Sequence, residues 1–129
     1  MRSITGRTRP RGAVIQLSID SSPEAGWVVV KVDGEVDLSN ASGLREHLIS
    51  QVQEANYNIA VDLSGVEFMD SSGLAVLISG LRRTKEHDGS LVLIAPTASV
   101  KRVLSITGLD KVFDIYDSVE KAAARSSSA

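Results

Sequence analysis

The apolar positions change their period along the chain, and the predicted element changes with them. In "AVIQLSID" (residues 13–20), Ile15, Leu17 and Ile19 alternate with Gln16 and Ser18, the period of two of a half-buried strand. "WVVVKVDG" is β-branched and apolar up to Gly34, and "SSPEAG" before it is a cluster of turn residues. Residues 13–20 and 26–33 therefore predict an antiparallel hairpin closed by a loop rather than by a two-residue turn. From Ser39 the period becomes helical. Leu44, Leu48, Ile49 and Val52 share a face, with Arg45, Glu46, Gln51 and Gln53 largely elsewhere. "NIAVDLSGV" and "SLVLIAP" are short apolar runs between breakers, the pattern of strands buried on both faces.

Between those two runs, Leu74, Leu77, Ile78 and Leu81 stand at i, i+3, i+4 and i+7 and define the core face of a helix. Arg82, Arg83 and Lys85 suit its negative C-terminal end, and Gly89 is expected to close it. A further helix from about Thr97 to Gly108 turns Val100, Val103 and Leu104 inward; "VFDIY" reads as a last strand and "DSVEKAAAR" as a terminal helix. Strands alternating with helices through short loops predict one α/β domain: a mixed, mostly parallel sheet of about five strands with about four helices, opened by an N-terminal β-hairpin. A chain of 129 residues has room for one such core. The expected limits are a flexible basic arm at 1–12, the domain at 13–124 and a flexible tail at 125–129.

Composition narrows the chemistry. The absence of cysteine removes disulfides, thiolate nucleophiles and cysteine-held metals, and fits a reducing cytoplasm. No apolar run approaches the roughly 20 residues that cross a bilayer, and no apolar region follows the N-terminal arginines. The expectation is a soluble cytoplasmic protein with no membrane contact. Arg2, Arg7, Arg9 and Arg11 give the arm +4, so within a net charge of −2 the remainder carries −6. An acidic body, and an arm without interleaved aromatic residues, argue against direct nucleic-acid binding.

The chemistry concentrates in "FMDSSGLAVL", residues 68–77. Asp70 ahead of an apolar-periodic run is a helix N-cap, but a cap does not require Ser71, Ser72 and Gly73 after it, and glycine in a helix costs about 1 kcal/mol against alanine. The turn reads as a cap, a nucleophile or a place where charge is written. A nucleophile elbow is missing, since Met69 and Asp70 stand where its first glycine belongs. His47 and His87 fall towards the C-terminal parts of two predicted helices, away from these serines, so no base is in view. Asp37, Asp62 and Asp70 each end a strand or open a helix and show no metal spacing. No catalytic residue, metal or cofactor is predicted. A phosphate at the first helical position would meet exposed backbone N–H groups and the positive end of the helix dipole, changing the surface rather than the fold.

"VDLSGVEFMDSSGLAVL", preceded by "VDGEVDLSNASGLREHL" and followed by "LSITGLDKVFDIYDSVEKA", resembles the anti-sigma factor antagonists, the phosphorylatable STAS-domain proteins of bacteria. The likeness covers about residues 13–124. It implies phosphorylation of Ser71 by an ATP-binding anti-sigma factor that is also a serine kinase, loss of that complex, and reset by a serine phosphatase. Unphosphorylated, such a protein binds the kinase and releases a sigma factor. The resemblance implies a docking surface formed by 71–81 and 34–40, with Asp37 close to Ser71 and with Asp37, Asp70, Ser72 and Gly73 in contact with the kinase. Asp37 is equally readable as a cap of the next helix. Ala75 stands where the family frequently has glycine, and the basic arm is additional. The alternative is a STAS module that does not switch, held in a stress-signalling or transporter-associated complex, because fold alone does not set function.

Overall fold

The computed structural model describes residues 17–127, with side chains described through Arg125. The expected arm at 1–12, residues 13–16 of the expected first strand and the last two residues lie outside the described residues. The order is β1 (Ser18–Glu24), β2 (Trp27–Val36), α1 (Ala41–Gln53), β3 (Asn58–Met69), α2 (Ser71–Lys85), β4 (Ser90–Ile94), α3 (Ala98–Thr107), β5 (Ile115–Tyr116) and α4 (Val119–Ser127). The strands form one sheet in the order β1-β2-β3-β4-β5; only β1 runs antiparallel to its neighbour. Each parallel neighbour is reached through a helix. The mixed α/β sheet read from the hydropathy pattern is the observed architecture.

The hairpin differs from expectation. Pairing continues to Glu24 opposite Trp27, leaving a two-residue turn, Ala25 and Gly26, with φ of 53° and 87°. Two positive φ angles make the type I′ geometry that matches strand twist. "SSPE" looks like a loop because its residues are poor strand formers, yet β1 is an edge strand with nearly every side chain exposed. Pro23 is tolerated at an edge, where its missing N–H need not face a neighbour. His47 Nε2 and Ser21 Oγ lie 3.1 Å apart, and Gln51 Nε2 donates to the same oxygen at 3.3 Å, tying β1 to α1.

Two apolar layers hold the sheet. On one face Val30, Val32, Ile59, Val61 and Leu93 meet Leu44 and Leu48 of α1, Leu74 and Leu77 of α2, and Val100 and Leu104 of α3. On the other, Trp27, Val29, Ala60, Val92 and Ile94 meet Val119 and Ala122 of α4. Burying one such leucine contributes about 1.5–3 kcal/mol. The strands are buried on both faces only where α4 reaches. Farther along, Asp62 lies within β3 rather than ending it, and Lys31 stands 3.5 Å from Asp33 and 3.9 Å from Asp62 on the open face, with Ser64 alongside.

Local signals locate most helix ends. Thr97 accepts from Val100 N and opens α3, and Gly108, at φ 80°, closes it. The end of α2 departs from expectation: Asp88 at φ 59° takes the left-handed position, and Gly89 instead lies against the Tyr57 carbonyl where a Cβ would collide. A single 3₁₀ turn at Leu109–Lys111 precedes β5, which is only two residues long. The terminal helix runs on to Ser127, past the expected boundary at 124.

Ala25 sits in a conformation that costs an L-residue with a Cβ about 1–2 kcal/mol, a penalty that asparagine partly escapes. Ala25→Asn is expected to raise unfolding stability by about 1 kcal/mol, read as a higher urea midpoint with unchanged m-value; an unchanged or lower midpoint contradicts the turn assignment.

Candidate functional site

Parallel pairing of β2 with β3 ends at Val36 opposite Met69, and both strands release their loops at the same edge of the sheet. Asp70 N donates to Val36 O at 3.1 Å, fixing the start of one loop to the end of the other. Asp70 is extended, with φ −97° and ψ −172°, and its Oδ1 accepts from Ser72 N at 2.9 Å and Gly73 N at 3.3 Å. The Ser72 hydroxyl donates to the same oxygen. Asp70 is the N-cap of α2, and its carboxylate holds both N–H groups that an N-cap can reach.

This concentration of donors sets its acidity. The Ser72 hydroxyl, the largest influence, holds the Asp70 carboxyl below the ordinary carboxylate value; partial burial opposes it, and the N–H groups of Gly73, Ser72 and Leu38 add to the lowering. The 37–40 loop lies beside the cap, Leu38 and Ser72 lining one groove. In that loop Asp37 Oδ1 accepts from Ser39 N at 3.0 Å and Ser39 Oγ at 2.6 Å. Asn40 ties the loop down, accepting from Asp37 N and donating to Glu35 O, both at 2.9 Å. The Asp37 side chain thus closes an Asx turn rather than capping α1; its carbonyl receives Ala41 N at 2.9 Å.

The two serines are not equivalent. Ser71, at the first helical position, is exposed and its hydroxyl makes no hydrogen bond among the described residues; Ser72 is half-buried and bound to Asp70. Gly73 is buried, and a Cβ there would stand 2.6 Å from Met69 Cγ and 2.8 Å from Val36 Cγ1. Close packing of the helix start on the strand ends explains this glycine, a reason invisible along the sequence. The expectation that a phosphate would find exposed N–H groups is corrected as well, since those of Ser72 and Gly73 are held by Asp70. The face of α2 is rotated from the periodic reading: Leu74 and Leu77 are buried with Gly73, Val76, Gly80 and Thr84, while Ile78 and Leu81 are only half-buried. Ser71, Ala75 and Arg82 lie on the exposed side.

Neither histidine serves these serines. His47 lies in the middle of α1 beside Ser21, and His87 lies just beyond α2, stacked on Tyr57 with ring centroids 4.3 Å apart. Among the described residues no group of three His, Asp or Glu side chains is placed to hold a metal ion, and no helix is long and apolar enough to cross a membrane. A groove of about 400 Å³ runs between α1 and α2 from the Leu38 and Ser72 end towards Arg83. Leu38 itself is 82 % exposed, an unusual position for a leucine in a loop so fully hydrogen-bonded. Sequence reasoning passed over both features, because hydropathy does not distinguish a leucine aimed at solvent from one aimed at the core.

The STAS domain family model matches residues 16–122. An anti-sigma factor antagonist assigned in Thermotoga neapolitana is 33% identical over 96 residues, covering 74% of this chain and 85% of that protein. The anti-sigma-B factor antagonist of Staphylococcus epidermidis is 28% identical over 106 residues, covering 82% and 98%. The crystal structure of an anti-sigma factor antagonist from Mycobacterium paratuberculosis superposes with a TM-score of 0.77 at 28% identity, covering 85% of this chain and 93% of that one. The chain belongs to the STAS-domain family of anti-sigma factor antagonists.

Two outcomes test the geometry. Because the folded Asp70 pKa lies below its unfolded value, its contribution is full above the unfolded value and is lost as pH falls through the folded one. Asp70→Ala is expected to cost about 1 kcal/mol at pH 7, a difference from wild type that narrows as pH falls below about 4; urea unfolding across that range measures it, and a pH-independent gap contradicts it. Gly73→Ala is expected to cost about 1–3 kcal/mol by overpacking against Met69 and Val36, read in the same assay.

Proposed function

We propose that this protein, as an anti-sigma factor antagonist, binds an anti-sigma factor that is also an ATP-dependent serine kinase, and that phosphate on Ser71 ends the complex. Binding releases a sigma factor; a serine phosphatase restores the binding form. The observation that carries this reading is the contrast between neighbouring hydroxyls. Ser71 is exposed at the first position of α2 and unbonded among the described residues, whereas Ser72 is committed to Asp70. A kinase approaching this turn meets one available acceptor.

The switch acts by charge at the surface. Phosphate brings about −1.5 to −2 charges and three acceptor oxygens at neutral pH, one residue from the Asp70 carboxylate. A partner surface matched to a neutral hydroxyl then meets uncompensated negative charge, and like charges juxtaposed at an interface cost several kcal/mol. Asp37, Asp70 and Ser72 are the proposed contact residues around Ser71. Gly73 contributes from beneath, by letting the turn sit low on the strand ends. The work is done by binding, and no catalytic residue of this chain is invoked.

Incubation with ATP and lysate of the source cells, followed by intact mass and peptide mapping, tests the assignment. One phosphate is expected on the peptide containing Ser71, absent in Ser71→Ala and retained in Ser72→Ala. With the kinase purified on that activity, Ser71→Ala is expected to bind it without ATP-dependent release, and Ser71→Glu at least about ten-fold more weakly, about 1.4 kcal/mol. No phosphate from a lysate with demonstrated kinase activity, or equal affinity of the two variants, favours instead a STAS module that does not switch.

A further inference from the structure

The half of the sheet that α4 leaves uncovered carries a charge pattern of its own. Ile19, Val32, Val36 and Met69 pack into or against the core shared with α1, α2 and α3, so strand alternation turns their neighbours to the opposite face. Register gathers there Asp20 of β1, Lys31, Asp33 and Glu35 of β2, and Asp62 and Phe68 of β3. Four carboxylates thus share the face with one ammonium. Lys31 stands 3.5 Å from Asp33 and 3.9 Å from Asp62, while Asp20 and Glu35 make no ion pair among the described residues. Phe68, opposite Glu35, is 45 % exposed.

The sequence supplies a complement to this face. Residues 1–16, which lie outside the described residues, contain Arg2, Arg7, Arg9 and Arg11 and no acidic residue. They also precede the segment that the STAS domain model matches, which begins at residue 16. Their tether is at the acidic patch itself, because Ser18 pairs with Asp33. Arg11 is seven residues before Ser18, up to about 23–25 Å of extended chain, whereas Asp33 and Glu35 are two residues apart on a strand, about 7 Å. The arginines therefore have the reach, and a tether this short sets an effective concentration on the order of millimolar. Guanidinium groups suit both features of the face, since they pair with carboxylates and stack on an aromatic ring.

We propose that the arginine-rich segment 1–16 docks in cis across the open face of the sheet, its guanidinium groups pairing with Asp20, Asp33, Glu35 and Asp62 and one of them stacking on Phe68. The consequence is an intramolecular strap that covers the exposed aromatic ring and offsets the carboxylates. Helices α1, α2 and α3 pack on the opposite face, so a docked arm leaves the turn at 70–72 accessible. The inference does not depend on phosphorylation of Ser71.

The test uses the full 129-residue chain. Because it has no cysteine, Thr8→Cys can carry a single nitroxide, and paramagnetic relaxation of the amides of the nitrogen-labelled protein reports where the arm lies. At low salt, relaxation at Asp62 and Phe68, two strands in from the tether, is expected to be at least about three-fold stronger than in the same protein with Arg7→Gln, Arg9→Gln and Arg11→Gln, and to fall to that variant's level in about 1 M salt, where the screening length is about 3 Å. Glu35→Lys is expected to produce the same loss while keeping the wild-type urea midpoint. Equal relaxation with and without the arginines, or relaxation that persists in high salt, overturns the inference. Equally strong relaxation between a nitroxide-bearing unlabelled copy and a nitrogen-labelled copy without nitroxide would seat the arm on a second molecule and overturn docking in cis.

Discussion

The hydrogen bond from Asp70 N to Val36 O is the joint on which the candidate site of this molecule depends. It is the last rung of the parallel ladder between β2 and β3 and the first contact of the loops that follow. Parallel strands leave the sheet in the same direction, so one rung suffices to bring two loops of distant sequence to one edge. Without it, the 37–40 loop and the turn at 70–72 would be separate surface features. With it, Leu38 and Ser72 line one groove, so the two loops present one continuous surface.

From that joint the rest of the site follows by packing. Helix α2 can begin directly after the strand only if its first turn lies low against Val36 and Met69, and Gly73 permits this because it has no Cβ to collide with them. The low seat buries Gly73, Val76, Gly80 and Thr84, and thereby turns Ser71 and Ala75 outward. Asp70 then does two things at once. It satisfies N–H groups at the helix start, and it takes the Ser72 hydroxyl as a donor. The second effect separates the neighbouring serines chemically, leaving one hydroxyl committed and the other free.

Much of this was legible in the hydropathy pattern, and the residues that were not share a physical cause. Runs such as "NIAV" and "SLVLI" are dominated by burial, so their strands and the parallel order could be read from sequence. Asp70 as a cap and Gly108 as a left-handed stop obey local rules that do not need tertiary contacts. The reading failed where a distant neighbour decides. Ser21 to Glu24 pair as a strand because Trp27–Val30 lie opposite them, against their own propensity. The helix face of α2 shifted because the glycines, silent in a hydropathy profile, mark its closest approach to the sheet. Gly89 is a glycine for the sake of the Tyr57 carbonyl, not for a turn. Ser71 rather than Ser72 was named as the acceptor from a family likeness; a physical difference between the two hydroxyls came only with the hydrogen bonds.

The occupied cap also bears on how a charge at Ser71 would act. A free helix N-terminus is an anion site because its N–H groups and dipole both favour negative charge. Here the N–H groups of Ser72 and Gly73 already serve a carboxylate whose lowered pKa keeps it charged. A phosphate on Ser71 would meet the helix dipole but would have to share or displace Asp70 to gain hydrogen bonds, and the two anions would repel at close range. The added charge would therefore be directed outward to solvent rather than absorbed into the cap. An interaction surface is the place where such charge has most effect, because a docked partner removes the water that would otherwise screen it. The same carboxylate that holds the helix end in place would thus keep the fold from neutralising a phosphate on its neighbour.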